Sequence, residues 1–179
     1  RLEDGKLMAT AESRYKNGVI SGMMHHKPIP LEDEWFLQDP DDWLNSMCSV
    51  TEQMLRESGI PPEDVAGIGT DFTSCTMIPV CQDGAPLCKK AEFRDIPNAC
   101  PKLWKHHGAQ KYAEEIERYA REHTDWLREY FGNSVSSEWM FPKIMQVAKE
   151  DPEIYRATDL FMEAVDWIVY WLTGNLKRT

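Results

Sequence analysis

A polar stretch, Thr70-Asp71-Phe72-Thr73-Ser74, lies between two apolar runs, Val65-Ala66-Gly67-Ile68-Gly69 and Met77-Ile78-Pro79-Val80. A short strand ending in small hydroxyl side chains and one carboxylate is how an open α/β sheet offers polar groups to a ligand in a cleft. Gly67 and Gly69 leave room for a backbone or ligand to come close. A β-hairpin whose polar residues face water fits the same spacing, so both readings stay open. A second candidate is Lys102-Leu103-Trp104-Lys105-His106-His107. An indole among amines and imidazoles suits a cleft wall, its face packing on a sugar or another flat surface while polar groups hold the edge. The competing reading docks Trp104 on the core and turns the charged heads outwards.

The thiols and imidazoles suggest metal chemistry less well. Cys75, Cys81, Cys88, Cys100 and His106 are separated by 5, 6, 11 and 5 residues. No common zinc pattern has that spacing. The pair His25-His26 lies in a loop without neighbouring carboxylates in sequence. A metal-binding module and a non-catalytic interaction domain are therefore kept as alternatives to an enzyme, and no metal ligand is assigned. Five free cysteines in a chain of 179 residues fit a reducing, cytoplasmic setting.

The elements that must position these groups can be read from capping and periodicity. Asp39 and Pro40 open a helix with apolar residues at Trp43, Met47, Val50 and Met54, and Gly59 with Pro61-Pro62 closes it. The Val65–Gly69 strand follows. Lys6–Ser13 and Gly18–Ser21 are read as earlier strands. Gln82-Asp83-Gly84 is a turn signal, and residues 89 to 108 are irregular. A helix runs over Ala109–Glu122 with Tyr112, Ile116 and Tyr119 on one face, and a short piece around Trp126–Tyr130 stops at Gly132. Ser136-Ser137 are read as caps of a helix carrying Ile144, Val147 and Ala148 inwards. Asp151-Pro152 starts another short helix. The last helix is expected to place Phe161, Val165, Ile168 and Leu172 in register and to end at Gly174. α→β connections of this kind predict a layered α/β domain.

Composition excludes several functions. Apolar residues make up 42% and charged residues 28%, ordinary for a water-soluble domain. The net charge of −10 argues against nucleic acid. No apolar run is long enough to span a bilayer, because Asp166 interrupts Ala164–Leu172.

Four segments together resemble one family: GIGTDFTSCTMIP (67–79), KLWKHHGAQ (102–110), SSEWMFPK (136–143) and EAVDWIVYWLTG (163–174). In order and spacing they are similar to the ribulokinase branch of the FGGY carbohydrate kinases, within the actin-like ATPase superfamily. The resemblance implies transfer of the ATP γ-phosphate to the 5-hydroxyl of L-ribulose, with Mg²⁺. It also implies a ribonuclease H-like, actin-like ATPase lobe: a mixed sheet with flanking helices, and sugar bound in the cleft. The family's polar turn falls on Thr73 and Ser74, the small Ser74 leaving room for the ketose. The cleft tryptophan falls on Trp104. Glu138 is assigned a supporting place behind the residues that touch the sugar.

No Asp-x-Gly-Thr phosphate hairpin occurs in the sequence. The resemblance therefore implies that residues 1–179 are part of the N-terminal, sugar-binding lobe, without its first phosphate-binding hairpin strand and without the ATP-binding C-terminal lobe. The general base is expected beyond Thr179, and the chain alone is expected to be inactive. ATP and Mg²⁺ are cofactors of the parent enzyme, with none bound to this chain. The expected partner is a small pentulose, with no nucleic acid and no membrane. Self-association through an exposed sheet edge is a further expectation.

Overall fold

Strand β1, Met77–Val80, pairs antiparallel with β2, Leu160–Glu163, in the register Met77↔Glu163 to Val80↔Leu160. They form the centre of the computed structural model, which describes residues 1–176. All four residues of β1 are buried. Their side chains alternate between faces, as a strand requires. Met77 joins a core with Leu37, Leu87, Ala99, Val147 and Ile154. Ile78 and Val80 join a second core with Trp43, Met162, Trp167 and Ile168.

On its other side β1 meets a row of single antiparallel bridges: Met77 with Lys102, Lys102 with Leu37, and Leu37 with Ile20. The Met77 and Lys102 backbones exchange both hydrogen bonds, at 3.0 and 2.8 Å. This bonding places the segment around Trp104 beside the residues that lead into β1.

Among the described residues, six α-helices flank the strands: α1 Pro40–Ser58, α2 Gln110–His123, α3 Trp126–Phe131, α4 Met140–Glu150, α5 Pro152–Ala157 and α6 Ala164–Thr173. Helix α1 forms as its ends dictate. The Asp39 carboxylate accepts from the Asp41 amide at 3.0 Å, Pro40 takes the first position, and Gly59 closes the helix in the left-handed region. Its apolar stripe is only half covered, since Leu44, Met47 and Val50 keep partial exposure. Helices α3 and α6 end on left-handed Gly132 and Gly174.

Several expectations are corrected. Val65–Gly69 is not a strand: it is largely exposed, and among the described residues no amide from Ala66 to Ser74 donates to a backbone carbonyl. Apolar alternation gives a strand only when a neighbour takes the backbone groups, and none is present. Lys6–Ser13 is likewise irregular, and Gly18–Ser21 contributes one bridge at Ile20. The sheet, among the described residues, is two antiparallel strands rather than a mixed sheet. Phe161 belongs to β2, not to the last helix. Leu160–Glu163 continues the helical spacing of α6, but Val80 and its neighbours claim it as a partner. Ser136 and Ser137 precede the cap of α4, which is Trp139. Tyr119 faces outwards and stacks on His123.

The Gln82-Asp83-Gly84 turn forms as expected, with Cys81 bonded to Ala85 and Gly84 to Cys81. Helix α6 closes over it: Trp167 Nε1–H donates to the Gly84 carbonyl at 2.8 Å and Tyr170 O–H to the Asp83 carbonyl at 2.9 Å. Gly84 has φ +78°, and a Cβ there would lie 1.9 Å from the Tyr170 ring. Gly84→Ala is expected to cost about 2–4 kcal/mol, combining left-handed backbone strain with overpacking. A fall in the urea midpoint without a change in slope checks it.

Candidate functional site

A hollow of about 660 Å³ opens between α1, the polar stretch and the Trp104 segment. That size lies within the range of small-molecule sites. Met47 and Val50 from α1 form one wall, and Trp43 and Ile168 extend the second core into it. Thr70, Asp71, Phe72 and Thr73 line it from the polar stretch, and Trp104 and Lys105 from their own segment. Trp104 keeps 40% of its surface exposed. Lys105 lies over the Phe36 ring, 4.7 Å from its centre.

Thr76 joins the two expected recognition segments. Its buried hydroxyl lies 3.1 Å from the Thr73 hydroxyl and accepts from the Trp104 amide at 3.2 Å. The structure thus brings Thr73 and Trp104 to one hollow. Ser74 is exposed at the adjoining turn and is not among the residues lining it. Glu138 is not on the lining either. Its carboxylate lies 2.9 Å from His107 Nε2, so it holds the far end of the Trp104 segment.

The charged residues around Trp104 divide by direction, and neither reading of the segment anticipated how. Lys102 and His106 point inwards and are completely buried. Lys102 donates to Asn98 Oδ1 at 2.8 Å, and its ammonium sits 4.2 Å from the Trp35 ring centre. Burial lowers its pKa to about 7. His106 lies between the Phe36 amide, which donates to Nδ1 at 3.3 Å, and Gln146 Oε1, 2.8 Å from Nε2. Burial, then the nearby charge of Lys102, lowers its pKa to about 2. These two side chains set the course of the backbone, so that Trp104 and Lys105 face the hollow.

The metal alternative does not assemble. Both His106 nitrogens are engaged, and among the described residues no group of three or more His, Cys, Asp or Glu is arranged to hold a metal ion. His25 and His26 pair with Asp39 and Asp95.

Two contributors escaped the sequence reading. Thr76 is marked only by its three-residue spacing from Thr73. Lys143 sits one helical turn before the buried Val147, so the periodicity that turns Val147 inwards places Lys143 there too. Its ammonium donates to the carbonyls of Cys75 at 2.6 Å, Leu103 at 2.9 Å and Trp104 at 3.2 Å. Burial lowers its pKa to about 8. Burial raises the neighbouring Glu163 carboxyl and the Cys75 thiol.

Comparison with known proteins places this architecture. The model of the N-terminal domain of the FGGY family of carbohydrate kinases matches residues 16–178. The chain belongs to the FGGY family. It is 41% identical over 175 residues to the ribulokinase of Anoxybacillus flavithermus, covering 98% of this chain and 31% of that protein. It is 43% identical over 180 residues to the ribulokinase of Mycolicibacterium smegmatis, covering 99% and 32%. This FGGY chain thus spans about a third of the length of the curated relatives it matches. The crystal structure of a xyloylose kinase from Brucella ovis superposes with a TM-score of 0.63 at 21% identity, covering 86% of this chain and 28% of that one. At that identity the likeness concerns the FGGY fold. No described helix is long and apolar enough to cross a membrane.

Proposed function

We propose that this chain is the sugar-binding part of the N-terminal lobe of an ATP-dependent kinase that phosphorylates L-ribulose at its 5-hydroxyl. One observation carries the reading: Thr73 and Trp104 line a single hollow and are tied together through the Thr76 hydroxyl. Identity near 40% to ribulokinases across nearly the whole chain supports it. In this reading the indole of Trp104 packs on the carbon side of the pentulose, while the Thr73 hydroxyl exchanges hydrogen bonds with its hydroxyls. Ser74 contributes by being small at the mouth of the turn. Glu138 acts through His107 by holding the Trp104 segment.

ATP supplies the phosphoryl group in this reaction, and Mg²⁺ neutralises its charge. The described residues do not fit that role, having no group arranged to hold a metal ion and no glycine-rich phosphate hairpin. The task left to these residues is to bind, orient and desolvate the sugar. Residues 1–179 by themselves then bind sugar without turning it over. A cytoplasmic location belongs to the same reading, supported by five free cysteines.

The test uses the full-length product of the gene. Release of ADP is followed with L-ribulose, ATP and Mg²⁺, and compared with other pentuloses. L-ribulose is expected to be the preferred substrate. Trp104→Ala should raise the KM for L-ribulose roughly ten- to hundredfold and leave the KM for ATP unchanged. An unchanged KM for L-ribulose, or no phosphorylation of it, overturns the reading.

A further inference from the structure

We propose that Lys143 is a positioning residue of the sugar hollow, its buried ammonium fastening the turn that carries Thr73 and Ser74 to the segment that carries Trp104. The inference rests on the reading above, that these residues hold a pentulose.

The geometry is specific. An ammonium has three donors, and Lys143 has three carbonyl partners. One, Cys75, directly follows Ser74. The other two, Leu103 and Trp104, belong to the Trp104 segment, which lines the hollow. Lys143 itself lies on α4, outside the hollow; it bonds the lining at Leu103 and Trp104 and, through Cys75, the turn that follows Thr73. Its side chain is completely buried. Packing alone would favour an apolar residue there, because burying a charge is costly unless it is fully bonded.

The turn it holds does not take an ordinary conformation. Cys75 has φ +65°, left-handed backbone that a non-glycine residue adopts only where its surroundings enforce it. The shortest of the three bonds goes to the Cys75 carbonyl. Thr76 adds a second tie between the same two segments, but as a single hydroxyl shared by two partners. Lys143 is the charged pin of the pair. Held in place, Thr73 and Trp104 keep a fixed separation, as a rigid small ligand needs.

Removing the pin should act on sugar binding ahead of everything else. In the full-length protein, Lys143→Met is expected to raise the KM for L-ribulose roughly ten- to hundredfold, with a smaller change in kcat and none in the KM for ATP. Lys143→Arg, which keeps charge and donors, should recover part of the loss. A second measurement needs no variant. The ammonium gives up its proton near pH 8, losing its charge and one donor. The charged and titratable groups that act on it or feel it are Glu138, Glu163, the Cys75 thiol, Lys102 and His106. The wild-type KM for L-ribulose should therefore climb between pH 7 and 9 while the KM for ATP does not, and Lys143→Arg should flatten the climb.

Lys143→Met with an unchanged KM for L-ribulose overturns the proposal, as do equal losses toward both substrates, which would mark a general structural role. If Lys143→Met does not fold, a flat wild-type pH profile overturns it. Trp104→Ala separates this from the parent reading. If that variant raises the KM for L-ribulose and Lys143→Met does not, the pin is wrong and the sugar site stands. If neither does, the sugar site falls.

Discussion

Acidification from pH 6.5 to 4 should remove about 3 kcal/mol of stability through His106 alone, at 1.36 kcal/mol per unit of pKa displacement. The cause is local. The Phe36 amide donates to Nδ1, so that nitrogen must carry no proton, and Nε2–H is directed at Gln146 Oε1. The side chain is completely buried, and Lys102 nearby resists a second positive charge. In the folded chain the imidazole accepts a proton only near pH 2. In the unfolded chain it does so near the ordinary value of about 6.5. Below that value protons bind the unfolded state more readily, so stability is whole above pH 6.5 and falls steadily towards pH 2. Asp4 and Asp95, whose carboxyls are held low first by Arg1 and Lys27 respectively, push in the same direction. Lys102 extends the trend upwards: its folded pKa of about 7 lies below the ordinary lysine value, so its burial penalty eases as pH rises above 7. Urea unfolding of wild type and His106→Gln at pH 6.5 and 4 isolates the histidine. The wild type should lose about 3 kcal/mol more than the variant between the two pH values. Equal losses would show that His106 does not carry the effect.

Lys102, His106 and Lys143 mark where the sequence stopped being informative. Helix ends were legible because capping is local: Asp39, Pro40, Gly59, Gly132 and Gly174 act on their own neighbours. Two of the segments that meet at the hollow were legible because small polar residues and an indole between apolar runs suit a cleft lining. What the sequence hid was direction. A lysine normally extends its head to water, yet two of the three lysines that shape this site point inwards, because carbonyls and Asn98 meet them there. Whether a charged residue has buried partners is a non-local fact, set by Leu37, Met77 and Gln146 from distant parts of the chain. The strands failed for the same reason in both directions. Val65–Gly69 has strand composition and no partner, while Leu160–Glu163 reads as the start of a helix and is claimed by β1.

Trp43→Ala should be the most destabilising single core change, at about 3–5 kcal/mol. Trp43 is 2% exposed and lies between two other rings, with edge contacts to Trp167 at 5.8 Å and Phe72 at 5.9 Å. Its Nε1–H donates to Gln38 Oε1 at 3.3 Å. No neighbouring side chain can fill the volume, because Trp167 is tethered to the Gly84 carbonyl and Phe72 stands on the polar stretch. Trp43 also lines the hollow, so it joins the second core to the proposed sugar site. Trp43→Phe keeps an aromatic ring between Trp167 and Phe72 but drops the Gln38 bond, and should cost only about 1–2 kcal/mol. The two variants separate the roles of the residue. If Trp43 fixes Phe72, and through it the turn of Thr73, the Ala variant should weaken L-ribulose binding at temperatures where it remains folded, while the Phe variant should bind nearly as wild type. Combining Trp43→Ala with Trp167→Ala should cost less than the sum of the single changes, since each already forfeits the shared edge contact. Strict additivity in urea unfolding would mean that the two rings do not support each other.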